Sequence, residues 1–209
     1  MTMTFTKYAA ALAAGVCFSV TASADLIVDD GSGGSIPEED IINNVLGETS
    51  SEAPAGFGSN LYVDGPTRLT FTYLGDHAGY NNEFHVGEEL VFSTKEPEYS
   101  KENDTFSQIF YGGLIDFAFK SEKHGWAYNG SNPDDSDPNN TDVNFFVGED
   151  SEMYGEGLFL AFDDNGADND DNHDDMVLQV TASKVPEPGT LALLGLGLAG
   201  LGMSYRRRS

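Results

Sequence analysis

Three features of the sequence predict an all-β fold, a single antiparallel β-sandwich or jelly-roll-like domain. Short apolar-rich runs recur at Arg68–Leu74, Glu89–Thr94, Thr105–Phe110, Leu114–Phe119, Val143–Val147, Leu158–Phe162 and Met176–Thr181. The residues between them are mostly Gly, Asn, Asp and Pro, which favour turns. No helix-length periodic segment separates the runs, so the crossovers that a parallel sheet needs are missing.

In chain order, Leu26-Ile27-Val28 is the first short strand, and the Asp/Gly/Ser run 29–34 is a turn. From Pro37 to Gly47, Pro and acids lead, Ile41, Ile42, Val45 and Leu46 supply an apolar side, and Gly closes; this pattern predicts a short surface helix. A Ser/Ala/Pro/Gly connector, 49–59, leads to a strand at Leu61-Tyr62-Val63. Leu69, Phe71 and Tyr73 alternate with Thr70 and Thr72, the clearest period-two pattern in the chain, and Asp64-Gly65-Pro66 before it reads as a hairpin turn.

Both ends of the chain read as signals. Lys7, the apolar run Tyr8–Val20 and the small residues Ala22-Ser23-Ala24 predict a secretory signal peptide over 1–24, handled by the Sec machinery and signal peptidase. Cys17 follows Ala14-Gly15-Val16; Val16 stands where a lipidation site wants a small residue, which argues against lipidation. The secreted β-sandwich domain is expected over 25–184 and a sorting segment over 185–209.

Of the 209 residues, 35 are acidic and ten basic, a formal net charge of −25. Every acid falls between Asp25 and Pro188, against six basic residues, Arg68, Lys95, Lys101, Lys120, Lys123 and Lys184, so this segment carries −29. Its roughly 160 residues suit one domain with a real core. The charge excludes nucleic acid and anionic membrane surfaces as partners and leaves divalent cations, cationic surfaces or neutral polysaccharide. Excess carboxylate also serves simply to keep an exported protein solvated. The one cysteine lies in the leader, so no disulfide is available afterwards.

The densest polar stretch joins the last two expected strands. In 163–175 seven of the thirteen residues are Asp and three are Asn. Like charges two residues apart on extended chain, about 6.6 Å, repel by roughly 0.6 kcal/mol even at water's dielectric. A tightly packed loop would therefore need a cation. Calcium takes six to eight oxygen ligands of this kind, so Asp163, Asp164, Asp168, Asp170, Asn172, Asp174 and Asp175 are the expected structural Ca²⁺ ligands. The EF-hand pattern itself fails, with His173 where its sixth-position Gly belongs and no closing Glu. The competing reading is a solvated acidic hairpin loop. A second acidic stretch, Asn132 to Asp142, contains Pro133 and Pro138 and reads as an exposed loop.

Catalytic residues are not evident. The four histidines, His77, His85, His124 and His173, lack the close pairing of zinc sites, and there is no Gly-x-Ser-x-Gly. The chain is therefore expected not to be an enzyme, although two of its many carboxylates could pair for glycoside cleavage. Trp126 and Tyr128 flank Ala127 and share one face of a strand, where they could stack a sugar ring; the competing expectation places Trp126 in the core.

The tail has three ordered parts: Pro186-Glu187-Pro188, the uncharged Gly/Leu-rich run Gly189–Tyr205, and Arg206-Arg207-Arg208. As a helix the run would reach about 25 Å, the short limit for a transmembrane segment, with the arginines held on the cytoplasmic side. This order closely resembles the PEP-CTERM sorting signal of Gram-negative surface proteins. The resemblance implies an exosortase-type membrane protease that recognises Pro186-Glu187-Pro188, a transient inner-membrane anchor, and a host that makes exopolysaccharide. The segment Leu158–Val180 also resembles the acidic C-terminal strand pair of many such proteins and of a calcium-associated family of bacterial extracellular β-domains.

Three functions stay open. The first is a non-catalytic, exported surface or extracellular-matrix protein of the biofilm, stabilised by calcium. The second is a carbohydrate-binding module using Trp126 and Tyr128. The third is a secreted polysaccharide-degrading enzyme.

Overall fold

The computed structural model describes residues 26–28, 42–46, 48–49, 58–132, 142–151, 154–165, 173–185, 195, 197 and 198. Among them are fourteen strands: β1 (Leu26–Val28), β2 (Ile42–Asn43), β3 (Glu48–Thr49), β4 (Leu61–Val63), β5 (Thr67–Gly75), β6 (Asn82–Val86), β7 (Glu89–Ser93), β8 (Thr105–Phe110), β9 (Gly113–Leu114), β10 (Phe117–Ser121), β11 (Gly125–Tyr128), β12 (Asn144–Ser151), β13 (Gly155–Asp163) and β14 (Met176–Lys184). All pairings are antiparallel. The larger sheets have the orders β12-β13-β14-β5-β8 and β11-β10-β6-β7; β1-β4-β9 and β2-β3 form smaller ones.

The two larger sheets face one another across one apolar core. Period-two alternation puts Leu69, Phe71 and Tyr73 of β5 inward, with Leu160 and Phe162 of β13 and Leu178 and Val180 of β14. Phe84, Phe92, Phe117 and Phe119 oppose them from the four-stranded sheet. Phe119 and Phe162 stack across the interface with ring centroids 4.9 Å apart, and Phe71 meets Phe84 at 5.1 Å. Burying each such ring contributes roughly 1.5–3 kcal/mol, so this layer supplies the stability that disulfides do not. A second cluster, Leu74, Phe146, Phe159, Ala161 and Val177, lies on the opposite side of the five-stranded sheet and is covered by Val45, Leu46 and Tyr154. Apolar side chains on both faces explain why Leu158–Phe162 reads as a continuous apolar run rather than an alternation.

Several local expectations are corrected. Residues 42–46 do not form a helix: β2 leads into a turn at 44–46 ahead of β3. Asn43 Oδ1 accepts from the backbone N–H groups of Val45 (3.0 Å) and Leu46 (2.8 Å), and this side-chain turn competes with helix hydrogen bonding. Residues 37–41 lie outside the described residues. Asp64-Gly65-Pro66 does not close a hairpin, because β4 pairs with β1 and β9 while β5 pairs with β14 and β8. The turn instead moves the chain between sheets. The run Leu114–Phe119 divides at Ile115-Asp116: the Ile115 N–H bonds to Leu61 O while Asp116 O accepts from Gly87, so β9 and β10 join different sheets.

Strand β6 is an addition to the expected set. Its Phe84 and Val86 point inward, and Gly87-Glu88 joins it to β7, with Gly87 at φ +59°. That conformation suits Gly, which has no Cβ to clash. Asn132, expected in an exposed loop, is buried and brackets Phe145 by accepting from its N–H (3.0 Å) and donating to its carbonyl (2.7 Å). Residues 133–141 lie outside the described residues.

Candidate functional site

Two polar constellations stand out, one in a corner between the large sheets and one on an outer face. At the corner, β13 pairs with β14 from Leu158↔Val180 to Phe162↔Met176, so the chain must turn between Asp163 and Asp175. Asp163, Asp164 and Asp175 are brought together, with one carboxylate oxygen of each within 4.8 Å of the others. Their residues are only 0%, 1% and 9% exposed. At such a separation each pair of full charges repels by roughly 3.5 kcal/mol at an effective dielectric of 20.

Hydrogen bonds fix the corner's shape. The Asp164 N–H donates to Asp175 Oδ2 (2.9 Å), and the Asn165 N–H donates to Asp163 Oδ1 (2.9 Å). From the opposite sheet, Asn82 Nδ2 donates to Asp164 Oδ2 at 2.7 Å and lies 3.4 Å from the Asp175 carbonyl. Asn82 is fully buried, and its Oδ1 has no hydrogen-bond partner among the described residues. The backbone N–H of Asn82 bonds to Thr94 Oγ1, which fixes the start of β6.

Asp174 serves a different neighbour. Its Oδ2 accepts from the backbone N–H (2.8 Å) and the side-chain amide (2.6 Å) of Asn44, while its carbonyl accepts from the His77 N–H. His173, at φ +52°, pairs its Nε2 with Asn144 Oδ1 at 2.7 Å, and its carbonyl accepts from Asn43 Nδ2. These contacts tie the turn after β2 to the acidic corner. Of the expected ligands, Asp168, Asp170 and Asn172 lie outside the described residues.

On the outer face of the four-stranded sheet, register places Lys120 between Trp126 and Glu83, and Ala118 between Tyr128 and His85. Ala127 and Phe119 take the inward positions, so Trp126 and Tyr128 face out, 41% and 49% exposed. This corrects the expectation of Trp126 as a core filler: alternation gives the buried place to Ala127. The two rings are near-parallel, 13° apart with centroids separated by 5.6 Å. Lys120 Nζ sits 5.3 Å from the Trp126 ring centroid and the His85 ring lies 5.0 Å from it.

Glu83 Oε2 lies within hydrogen-bond distance of both Lys120 Nζ, at 2.9 Å, and His85 Nε2, at 2.8 Å. Partial burial alone would push the Glu83 carboxyl up, but the hydrogen bonds from Lys120 and His85 outweigh it and lower its pKa. Glu83 therefore stays charged and holds Lys120 over the indole. The arrangement offers aromatic surface beside fixed donors and an acceptor, a chemistry suited to a polyhydroxylated ring.

The last contact of the folded region leads into the tail. β14 ends at Lys184, and the Val185 N–H donates to the Pro66 carbonyl at 3.3 Å. A family model of the PEP-CTERM protein-sorting motif matches residues 184–208. The chain carries a PEP-CTERM sorting motif. That motif implies processing by an exosortase, export, and sorting to the cell surface. The PEP-CTERM segment starts on the final residue of β14, so the sheet and the sorting signal adjoin without a spacer. Pro186, Glu187, Pro188, Arg206, Arg207 and Arg208 lie outside the described residues, as does the leader 1–24. Among the described residues no helix is long and apolar enough to cross a membrane; Gly195, Gly197 and Leu198 are helical. Neither a curated protein nor a solved structure matches the chain.

Proposed function

We propose that this chain is an exported, non-catalytic β-sandwich of the cell surface or biofilm matrix that holds neutral polysaccharide against Trp126 and Tyr128. The exposed, near-parallel pair of aromatic rings is the observation that carries the reading. Two adjacent aromatic rings on a regular sheet face offer an apolar surface, and sugar rings present apolar faces of matching size. Lys120, His85 and Glu83 border the rings and can bond hydroxyl groups. The strongly negative chain disfavours an acidic polymer, so the ligand is a neutral one.

In this reading the leader 1–24 is removed on export. The apolar run 189–205 then anchors the chain transiently in the inner membrane, with Arg206–Arg208 inside. An exosortase cuts near Pro186-Glu187-Pro188, and the sandwich domain ahead of it reaches the surface. Intact mass of the extracellular form tests this: a product beginning at Asp25 and lacking Arg206–Arg208 is expected, and a tail still attached contradicts it.

Electrophoresis of the protein through gels containing single neutral polysaccharides tests the binding. Retardation that disappears in Trp126→Ala is expected. Turnover of any of these polymers, abolished by one Asp or Glu substitution with the fold retained, would replace binding with a polysaccharide-degrading activity.

A further inference from the structure

We propose that Asp163, Asp164 and Asp175, with the amide oxygen of Asn82, form a buried site for one Ca²⁺ ion that fastens the two large sheets to each other. Three carboxylates from the ends of β13 and β14 converge within 4.8 Å in a region almost closed to water. Acids alone do not make a site, since a shared proton also relieves their repulsion. Asn82 supplies the independent observation. It comes from the other sheet, is fully buried, and turns its amide group onto the cluster, with its N–H end on Asp164. Its oxygen end is an acceptor without a donor among the described residues. Buried acceptors without partners are rare in folded proteins, and a cation among the carboxylates satisfies this one.

The donor set selects the metal. All four side chains offer oxygen, and the nearby His173 directs Nε2 to Asn144, so the site is one for a hard cation. Calcium accepts irregular sets of six to eight oxygens, with backbone carbonyls and water completing the shell. Magnesium demands near-octahedral geometry and gives up its water reluctantly. The consequence is structural: Asn82 belongs to β6 and the three acids to the β13–β14 hairpin, so the ion reinforces the Asn82–Asp164 hydrogen bond between layers otherwise packed through apolar side chains.

The test is thermal melting of the full chain, stripped with EDTA and then given Ca²⁺ or Mg²⁺ at constant ionic strength. At about ten times a dissociation constant of 10⁻⁴–10⁻³ M, calcium should raise the midpoint by about 3–6 °C and magnesium by less. Asp164→Asn should abolish the effect. In EDTA it melts above the unsubstituted protein because one repelling charge is gone, and calcium no longer shifts it. Glu89→Gln, which removes an exposed acid, should leave the calcium shift intact. Should Asp164→Asn fail to fold, Asn82→Asp decides: a fourth carboxylate tightens calcium binding several-fold in calorimetric titration. Equal shifts by calcium and magnesium, an undiminished calcium shift in Asp164→Asn, or no gain in Asn82→Asp would each overturn the site.

Discussion

The acidic corner and the aromatic face reverse the usual partition of side chains between interior and water. In the corner, Asp163, Asp164 and Asp175 are buried; on the outer face, a Trp and a Tyr are close to half exposed. Each reversal is held in place by polar neighbours. Asn82, Asn43, Asn44 and Asn144 surround the corner, and the Glu83-Lys120-His85 set supports the rings. The difference lies in what each placement asks of its surroundings. Buried carboxylates call for a counter-charge or a shared proton, whereas exposed rings can take an apolar cover. The proposed ion within the fold would meet the first and the proposed ligand outside it the second, so the two regions should respond oppositely to substitution: the corner through stability and the face through binding.

The sharpest form of this contrast sits on neighbouring strands of one sheet. Phe119 points into the core against Phe162, while Trp126 points out. Phe119→Ala should cost about 3–5 kcal/mol and Trp126→Ala less than about 1 kcal/mol, both read from urea unfolding midpoints. Comparable losses would mean that Trp126 carries packing rather than recognition.

Next in size is the collar around the corner. Asn43→Ala removes the side chain that caps the turn at 44–46 and bonds His173 O, and should cost about 1–3 kcal/mol. A change within 0.5 kcal/mol would show that the corner holds its shape without that turn.

The smallest effect belongs to Glu83. Because its pKa is lowered in the folded protein, its contribution is fully present above the ordinary glutamate value of about 4.3. It is lost as the pH falls from there through the lower folded value. Unfolding measured from pH 6 down to pH 3 should therefore show a pH-dependent loss in the unsubstituted protein that is weaker in Glu83→Gln; identical profiles would contradict the Glu83–Lys120–His85 coupling.

Much of this molecule was legible in its residues, for physical reasons that differ by element. Strand β5 was readable because one face is apolar and the other threonine, and β8, β13 and β14 because turn-forming residues bracket them. The pairing of β13 with β14 followed from the acidic turn between two apolar runs. Strand β6 was missed because only Phe84 and Val86 mark it, yet their alternation ahead of Gly87 was a usable signal. The helix expected over 37–47 was a misreading at residues 42–46. Ile42, Val45 and Leu46 have helical spacing, but Asn43 spends its side chain on a turn.

At the candidate sites the sequence pointed to the right stretches and missed the partners. Asn82 lies over eighty residues from the acidic loop, and only the packing of one sheet on the other brings them together. The same holds for Glu83, Lys120 and His85, which gather around Trp126 through strand register rather than proximity in the chain. The PEP-CTERM tail was legible without any fold, because an exosortase signal is a linear pattern of Pro-Glu-Pro, apolar run and arginines.

The most direct measurement of the central claim is the affinity of the protein for a neutral polysaccharide, compared with that of the double variant Trp126→Ala/Tyr128→Ala. The account predicts binding weakened at least tenfold, roughly 1.4 kcal/mol or more, with an unfolding midpoint close to that of the unsubstituted protein. Unchanged affinity in a folded double variant would contradict it.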